Sequence, residues 1–345
     1  MMKTVWEKTK ETDKPILLYG TGNGADKILD ELQRLDIAVS GVFAGDGFVR
    51  KRTFRGFPVM SYDEAKALFG NFLVLLAFGS SRSEVIANFV RVASEQELYS
   101  VDVPVYGENI FNREFYEKHK TEIEKVRSVL ADEQSVKVFD NIVKFKLTGD
   151  IGLLFGCETD ICEAYQNILD LSDNEIYMDL GAFTGDTVKQ FIEYSPYYNR
   201  IYAAEPDAKN FAKLVRNTAD VKNIECINCC ICDNTGEITF STHGGRNGSA
   251  DEKGVIVKCA TVDSILDGND VTYIKFDIEG FEAAALDGAT ETIKRCKPKM
   301  LISCYHRSED VFELPLKVLS IRDDYKVYIR HNPYVPAWDT QFYFI

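Results

Sequence analysis

The stretch Tyr177–Thr187, YMDLGAFTGDT, decides the fold class. A short apolar run enters a turn containing Gly181 and Gly185, and the segment beyond it, TVKQFIEYS, has the three-and-four spacing of an amphipathic helix. Strand, glycine turn and helix in that order form the ligand end of an α/β unit. Carboxylates bracket this turn, Asp179 before it and Asp186 within it. A phosphate-binding loop needs a lysine and a hydroxyl after its glycines, whereas Gly185 is followed by Asp186. A pyrophosphate between the two aspartates would meet like charge in a partly desolvated cleft. The turn therefore suits a nucleotide-like ligand without phosphate.

Further along, EIYMDLG, RIYAAEP, IECINCC, VTYIKFDIEG, KPKMLISCYH, YKVYIRH and TQFYFI read as seven strands. Helical segments such as AKNFAKLVRNTA and EAAALDGATETIKRC separate most of them. The last two strands leave no room for a crossover helix, so the predicted sheet is mostly parallel with an antiparallel last strand. EITFSTHGGRNGSADEKGVIVKCAT reads as a hairpin insert with a glycine-rich tip. Ligands of an open α/β sheet lie outside the carboxyl ends of its strands. That rule gathers Asp179, Glu205, Asn228, Asp277, His306 and His331 around one crevice. Glu205 ends the second strand, the place from which a carboxylate accepts both hydroxyls of a ribose. A ligand with a ribose, no phosphate and positive charge fits, and S-adenosylmethionine has all three properties through its adenosine, sulfonium and α-ammonium groups.

YMDLGAFTGDT, IYAAEPD and VTYIKFDIEGFEAAALDGA resemble the methyl-donor motifs of FkbM-type methyltransferases, and IKFDIEGFE is the most specific of these pieces. LISCYHRSEDVFELP and the ending YIRHNPY…DTQFYFI are similar to the later part of the family pattern. The resemblance spans about 176–345 and reaches back more weakly through LADEQSVKVFDNIVKFKLTGD. It implies methyl transfer from S-adenosylmethionine to a hydroxyl of a sugar, glycan or natural-product acceptor. It also implies that Asp179, Gly181, Phe183, Gly185, Asp186 and Thr187 surround the methionine part of the cofactor. By the same carry-over, Glu205 and Pro206 meet the ribose, Asn228 and Cys229 lie near the adenine, and Asp277 closes the pocket beside the sulfonium.

Methyl transfer is an in-line displacement, so alignment dominates, and a base that takes the hydroxyl proton assists. His306 is the expected base, with Asp277 or Glu279 orienting it or sharing the work. Glu282 reads as support for the first turn of the next helix. The insert offers His243, Arg246, Asn247 and Ser249 to the acceptor, together with Glu279 and His331, while His119 belongs to a charged helix and reads as solvated. The histidines and carboxylates are also compatible with a divalent metal, which their spacing does not favour.

Upstream, alternating strand and helix patterns over 15–106 predict a smaller Rossmann-like unit, residues 1–108, whose first turn is GTGNGA. With Ala25 at the third fingerprint position and Asp46 after the second strand, this turn reads as a tight strand-to-helix connection. If it bound a dinucleotide, the chain would be an NAD-dependent oxidoreductase; a nucleotide-sugar-binding module without catalysis is the other alternative. These first residues resemble small nucleotide-binding domains attached to some sugar-modifying enzymes. A charged helical connector is expected over 109–172 and the methyltransferase unit over 173–345.

The formal net charge of −14 argues against nucleic acid as a partner. The longest apolar run, FLVLLAF, is too short to cross a bilayer, and the polar start lacks the apolar core of a signal peptide. Nine cysteines suit a reducing, cytoplasmic setting. The cluster CINCCICD reads as buried strand rather than as a metal knot.

Overall fold

Two largely parallel sheets carry the chain, and the computed structural model describes residues 2–45, 49, 52–240 and 255–345. The first sheet comprises Ile16–Tyr19 (β1), Gly41–Phe43 (β2), Thr53–Phe54 (β3), Phe57–Met60 (β4), Leu73–Leu76 (β5) and Glu97–Ser100 (β6), in the spatial order β3-β4-β2-β1-β5-β6. All its pairings are parallel except the β3–β4 hairpin, an element the periodicity did not predict. The expected strand YSVDVPVYG is shorter than its apolar character suggested. It ends at Ser100, and the chain then leaves the sheet and runs toward the second unit.

The second unit supplies Ile176–Leu180 (β7), Arg200–Ala204 (β8), Ile224–Ile227 (β9), Cys230–Ile231 (β10), Gly236–Phe240 (β11), Val255–Ala260 (β12), Tyr273–Phe276 (β13), Lys299–Ser303 (β14), Val327–His331 (β15) and Thr340–Phe344 (β16). Seven of these form one sheet in the order β15-β16-β14-β13-β7-β8-β9. β16 is antiparallel to both neighbours and lies between β14 and β15. Because side chains alternate across a strand, Met178, Ile274, Met300 and Phe342 pack on one face and Tyr177, Tyr273, Leu301 and Tyr343 on the other. Tyr177 stacks on Phe191 of the following helix at 4.3 Å and on Tyr273 at 4.8 Å.

β11 and β12 form the expected hairpin, and β10 joins them in a three-stranded sheet. The cysteine run therefore leaves the main sheet after Ile227. Cys230, Cys232 and Cys259 are buried as small apolar groups.

Between the sheets, helices Arg113–Lys118, Lys120–Val129 and Glu133–Thr148 form most of the connector. The last is capped by the Asp132 side chain at Ser135 and ends at Gly149, whose φ is 67°. It buries Val138, Phe139, Ile142 and Phe145, and the guanidinium of buried Arg330 on β15 pairs with Asp132. His119 is not a solvated side chain as expected: it is half-buried and stacks on Phe312 at 4.8 Å. Among the described residues no helix is long and apolar enough to cross a membrane.

Candidate active site

The turn after β7 is held by backbone geometry that only certain residues allow. Gly181 has φ 87°, and a Cβ there would stand 1.9 Å from the Asp277 carbonyl oxygen. Its N–H and that of Ala182 donate to the Ala204 carbonyl, while the Phe183 N–H donates to Glu205 Oε2 at 3.0 Å. Gly185, φ 89°, precedes the helix Asp186–Tyr194. Phe183 also has positive φ, 47°, and Glu279 has 56°, and both are exposed. A bulky or charged side chain held in the left-handed region is strained, and such strain concentrates at working sites.

Glu205 is 6% exposed, and its other oxygen accepts the Asp207 N–H at 2.9 Å. Burial pushes its carboxyl up to about 7, against the opposing pull of those two N–H groups. Asn228 donates to the Glu205 and Pro206 carbonyls, fastening the loop that carries the carboxylate. Cys229 is buried beside it.

The centre of the crevice is a chain of buried charges. Asp179 is fully buried: Oδ2 accepts from the Thr187 hydroxyl, and Oδ1 lies 3.6 Å from Lys275 Nζ. Lys275 is Asp179's register partner on β13 and reaches Asp277 Oδ2 at 3.3 Å. Burial raises the Asp179 carboxyl despite Lys275, whereas at Asp277 the pull of Lys275 and His306 outweighs burial and lowers it. The crevice is thus less acidic than its aspartates implied, because Lys275 sits between them. Tyr305 donates its hydroxyl to Asp277 Oδ1 at 3.1 Å.

His306 is 1% exposed. Its Nδ1 lies 2.8 Å from Oε1 of Glu282, itself 1% exposed, in a close contact that lacks hydrogen-bond alignment. Nε2 stands 3.6 Å from Asp277 Oδ1 and 3.8 Å from Glu279 Oε2. Burial alone would lower the imidazole, but Glu282, Asp277 and Glu279 together push it up to about 10. The three carboxylates thus favour positive charge at this imidazole.

Asp179 lies in β7 and Asp186 and Thr187 open the next helix, while Gly181, Phe183, Gly185, Glu205, Asp277, Glu279 and His306 lie in the connections at this end of the sheet. Asp186 is exposed at the start of its helix, where the dipole favours it whatever else it does. His331 departs from expectation. It is fully buried, its Nδ1 bonds the Thr340 hydroxyl at 2.9 Å, and burial pulls it down to about 4, so it has no surface to offer an acceptor. His243, Arg246, Asn247 and Ser249, and Asp46 of the first unit, lie outside the described residues.

Three contributors escaped the sequence reading. Lys275 was hidden in an apolar strand, though a lysine at the centre of YIKF could have signalled a buried partner. Glu282 is no mere helix support: it also accepts the Ile278 N–H at 2.9 Å beneath His306. Tyr106 comes from the first unit; its N–H donates to the His306 carbonyl at 2.8 Å, and its ring lies 4.6 Å from the Arg307 guanidinium. In the first unit, Gly24 packs where a Cβ would meet the Ala77 carbonyl oxygen at 2.5 Å, the close strand–helix approach expected of a tight turn.

Residues 179–327 match the family described as the methyltransferase FkbM domain. Among solved structures, the methyltransferase FkbM from Methylobacillus flagellatus KT has a similar fold, with TM-score 0.72 and 24% identity over 96% of this chain and 90% of that one. The fibrillarin of Aeropyrum pernix with bound S-adenosyl-L-methionine is more distant, with TM-score 0.35 and 15% identity over 53% of this chain and 73% of that one. No curated protein matches the sequence.

Proposed function

We propose, from the match of residues 179–327 to the FkbM methyltransferase domain, that the chain transfers the methyl group of S-adenosylmethionine to a hydroxyl on a sugar, glycan or natural-product acceptor. The observation that carries the reading is the carboxylate of Glu205 tied to the backbone of the Gly181–Phe183 turn. One group thereby shapes the turn and stands where a ribose would present its hydroxyls. The glycines fit the same ligand, since the turn leaves no room for side chains at Gly181. The nine cysteines are unpaired, which supports a reducing, cytoplasmic setting.

When bound, the cofactor supplies an electrophilic methyl on a sulfonium. Asp277 would offset that positive charge, and Lys275 keeps Asp277 and Asp179 in place. Glu205 would hold the ribose, and Glu279 and His306 stand at the acceptor end of the crevice. An acceptor oxygen would take the methyl as the carbon–sulfur bond breaks, and the cofactor would leave as a neutral thioether. The acceptor's proton would leave to solvent on the side where Glu279, the carboxylate beside His306, is 61% exposed.

Calorimetry on the full chain with S-adenosylhomocysteine, NADH and UDP-glucose tests the reading. S-adenosylhomocysteine should bind and NADH should not. Binding of NADH alone would replace the methyltransferase with an oxidoreductase, and binding of UDP-glucose alone would make the chain a nucleotide-sugar module.

A further inference from the structure

We propose that His306 Nε2, Asp277 and Glu279 hold a divalent cation at the acceptor end of the crevice, with Glu282 fixing the imidazole from its other side. Asp277, Glu282 and His306 bring donor atoms within 4.8 Å of one another, and Glu279 adds a fourth group facing the same imidazole. The separations of Nε2 from Asp277, 3.6 Å, and from Glu279, 3.8 Å, are too long for hydrogen bonds. They suit neighbouring ligands of one ion with bonds of roughly 2.0–2.4 Å.

A second observation is independent of these distances. Glu282 is almost wholly buried, and its Oε2 has no hydrogen-bond partner, nor does His306 Nδ1. A buried carboxylate with an unsatisfied oxygen is costly unless positive charge compensates it. The nearby Lys275 is already committed to Asp179 and Asp277. Asp310, also buried, adds a further carboxyl behind Glu282, where it accepts the Arg307 N–H at 2.7 Å. Burial and Glu282 push the Asp310 carboxyl up to about 8, so the carboxylates that face His306 are those of Asp277, Glu279 and Glu282.

A carboxylate set against one nitrogen of a histidine whose other nitrogen faces two more carboxylates is the arrangement by which proteins orient a metal-binding imidazole. One imidazole with carboxylates and water favours a harder dication of the Mn2+ or Mg2+ kind over a thiolate-seeking one. This role rests on the methyl-transfer reading. An acceptor hydroxyl drawn onto the cation loses its proton more readily, the proton leaving to solvent water, and the resulting oxygen attacks the methyl as the carbon–sulfur bond breaks.

The test uses the full chain stripped with a chelator and titrated with Mn2+, free metal being read by electron paramagnetic resonance, with S-adenosylhomocysteine affinity measured on the same preparations. Wild type should take up one Mn2+ per chain at submillimolar concentration. Glu279→Gln and Asp277→Asn should each weaken uptake by about tenfold or more. Glu279 is exposed, so Glu279→Gln should fold and keep its affinity for S-adenosylhomocysteine. No Mn2+ uptake by wild type, or equal uptake by wild type and both variants, overturns the cation site. Loss of S-adenosylhomocysteine binding in wild type is a separate result and strikes the methyl-transfer reading instead.

Discussion

At the scale of single residues, Glu205 has two jobs that pull against each other. It anchors the turn as an acceptor of two N–H groups, and burial disfavours the ionised form that this anchoring needs. A carboxyl held at about 7 in the fold and near 4.5 when unfolded binds its proton more tightly in the native state. Its contribution to stability is therefore present below pH 4.5 and is lost as pH rises through 7. In its proposed role toward a ribose Glu205 would run the other way, because the ionised form is the better acceptor. Affinity for S-adenosylhomocysteine should fall as pH is lowered below about 7, by no more than roughly tenfold per pH unit. Glu205→Gln should flatten that profile and weaken binding about ten- to a hundredfold near pH 8. Calorimetry across pH 6–8 measures both, and an unchanged profile in the variant would remove Glu205 from the ribose.

Which residues were legible follows from where their partners lie. Asp179, Glu205 and Asp277 could be found because each ends an apolar run next to a turn, a pattern local to its own segment. The pairing of Lys275 with Asp179 depends on β13 lying beside β7 in register, which no local pattern encodes. His331 also ends a strand, yet its ring turns into the protein toward Thr340, so position at a strand end did not settle accessibility.

Among the elements, the turn between β7 and its helix has least tolerance. At Gly181 a methyl group would meet both the wrong φ and the Asp277 carbonyl, which belongs to the end of the neighbouring strand. Gly181→Ala must therefore displace Asp277, not simply strain one residue. We expect a loss of at least about 2 kcal/mol in stability, with S-adenosylhomocysteine binding lost in whatever remains folded. Urea unfolding beside calorimetry measures both, and a fully stable, fully binding variant would show that the turn is looser than described. The strands themselves were readable from their apolar runs. β3 and β4 were not, since RTFRGFPVM is short and mixes charge with its apolar residues.

On the scale of the whole molecule, the first unit is fastened to the rest. The Lys146–Asp102 pair, 2.9 Å long with both side chains under 10% exposed, joins the connector helix to the segment after β6. Lys146→Met strands a buried carboxylate and should cost about 3–5 kcal/mol, while adding Asp102→Leu should recover most of it. Chemical unfolding of both variants gives the comparison, and equal stabilities would mean that water reaches the pair. Elsewhere, Ser80 bridges to Val335, and Gly79 packs so tightly that a Cβ would meet Pro336, Tyr334 and Trp338 at about 3 Å. None of these contacts has a signature in sequence, because each joins residues more than 40 positions apart.

The hydrogen bond from the Tyr106 N–H to the His306 carbonyl gives this docking a practical meaning. Anyone grafting a different amino-terminal module onto this scaffold would be cutting a tether to the backbone that carries the imidazole. Swapping that module to change recognition would therefore also retune the reaction centre, and the two properties would have to be engineered together.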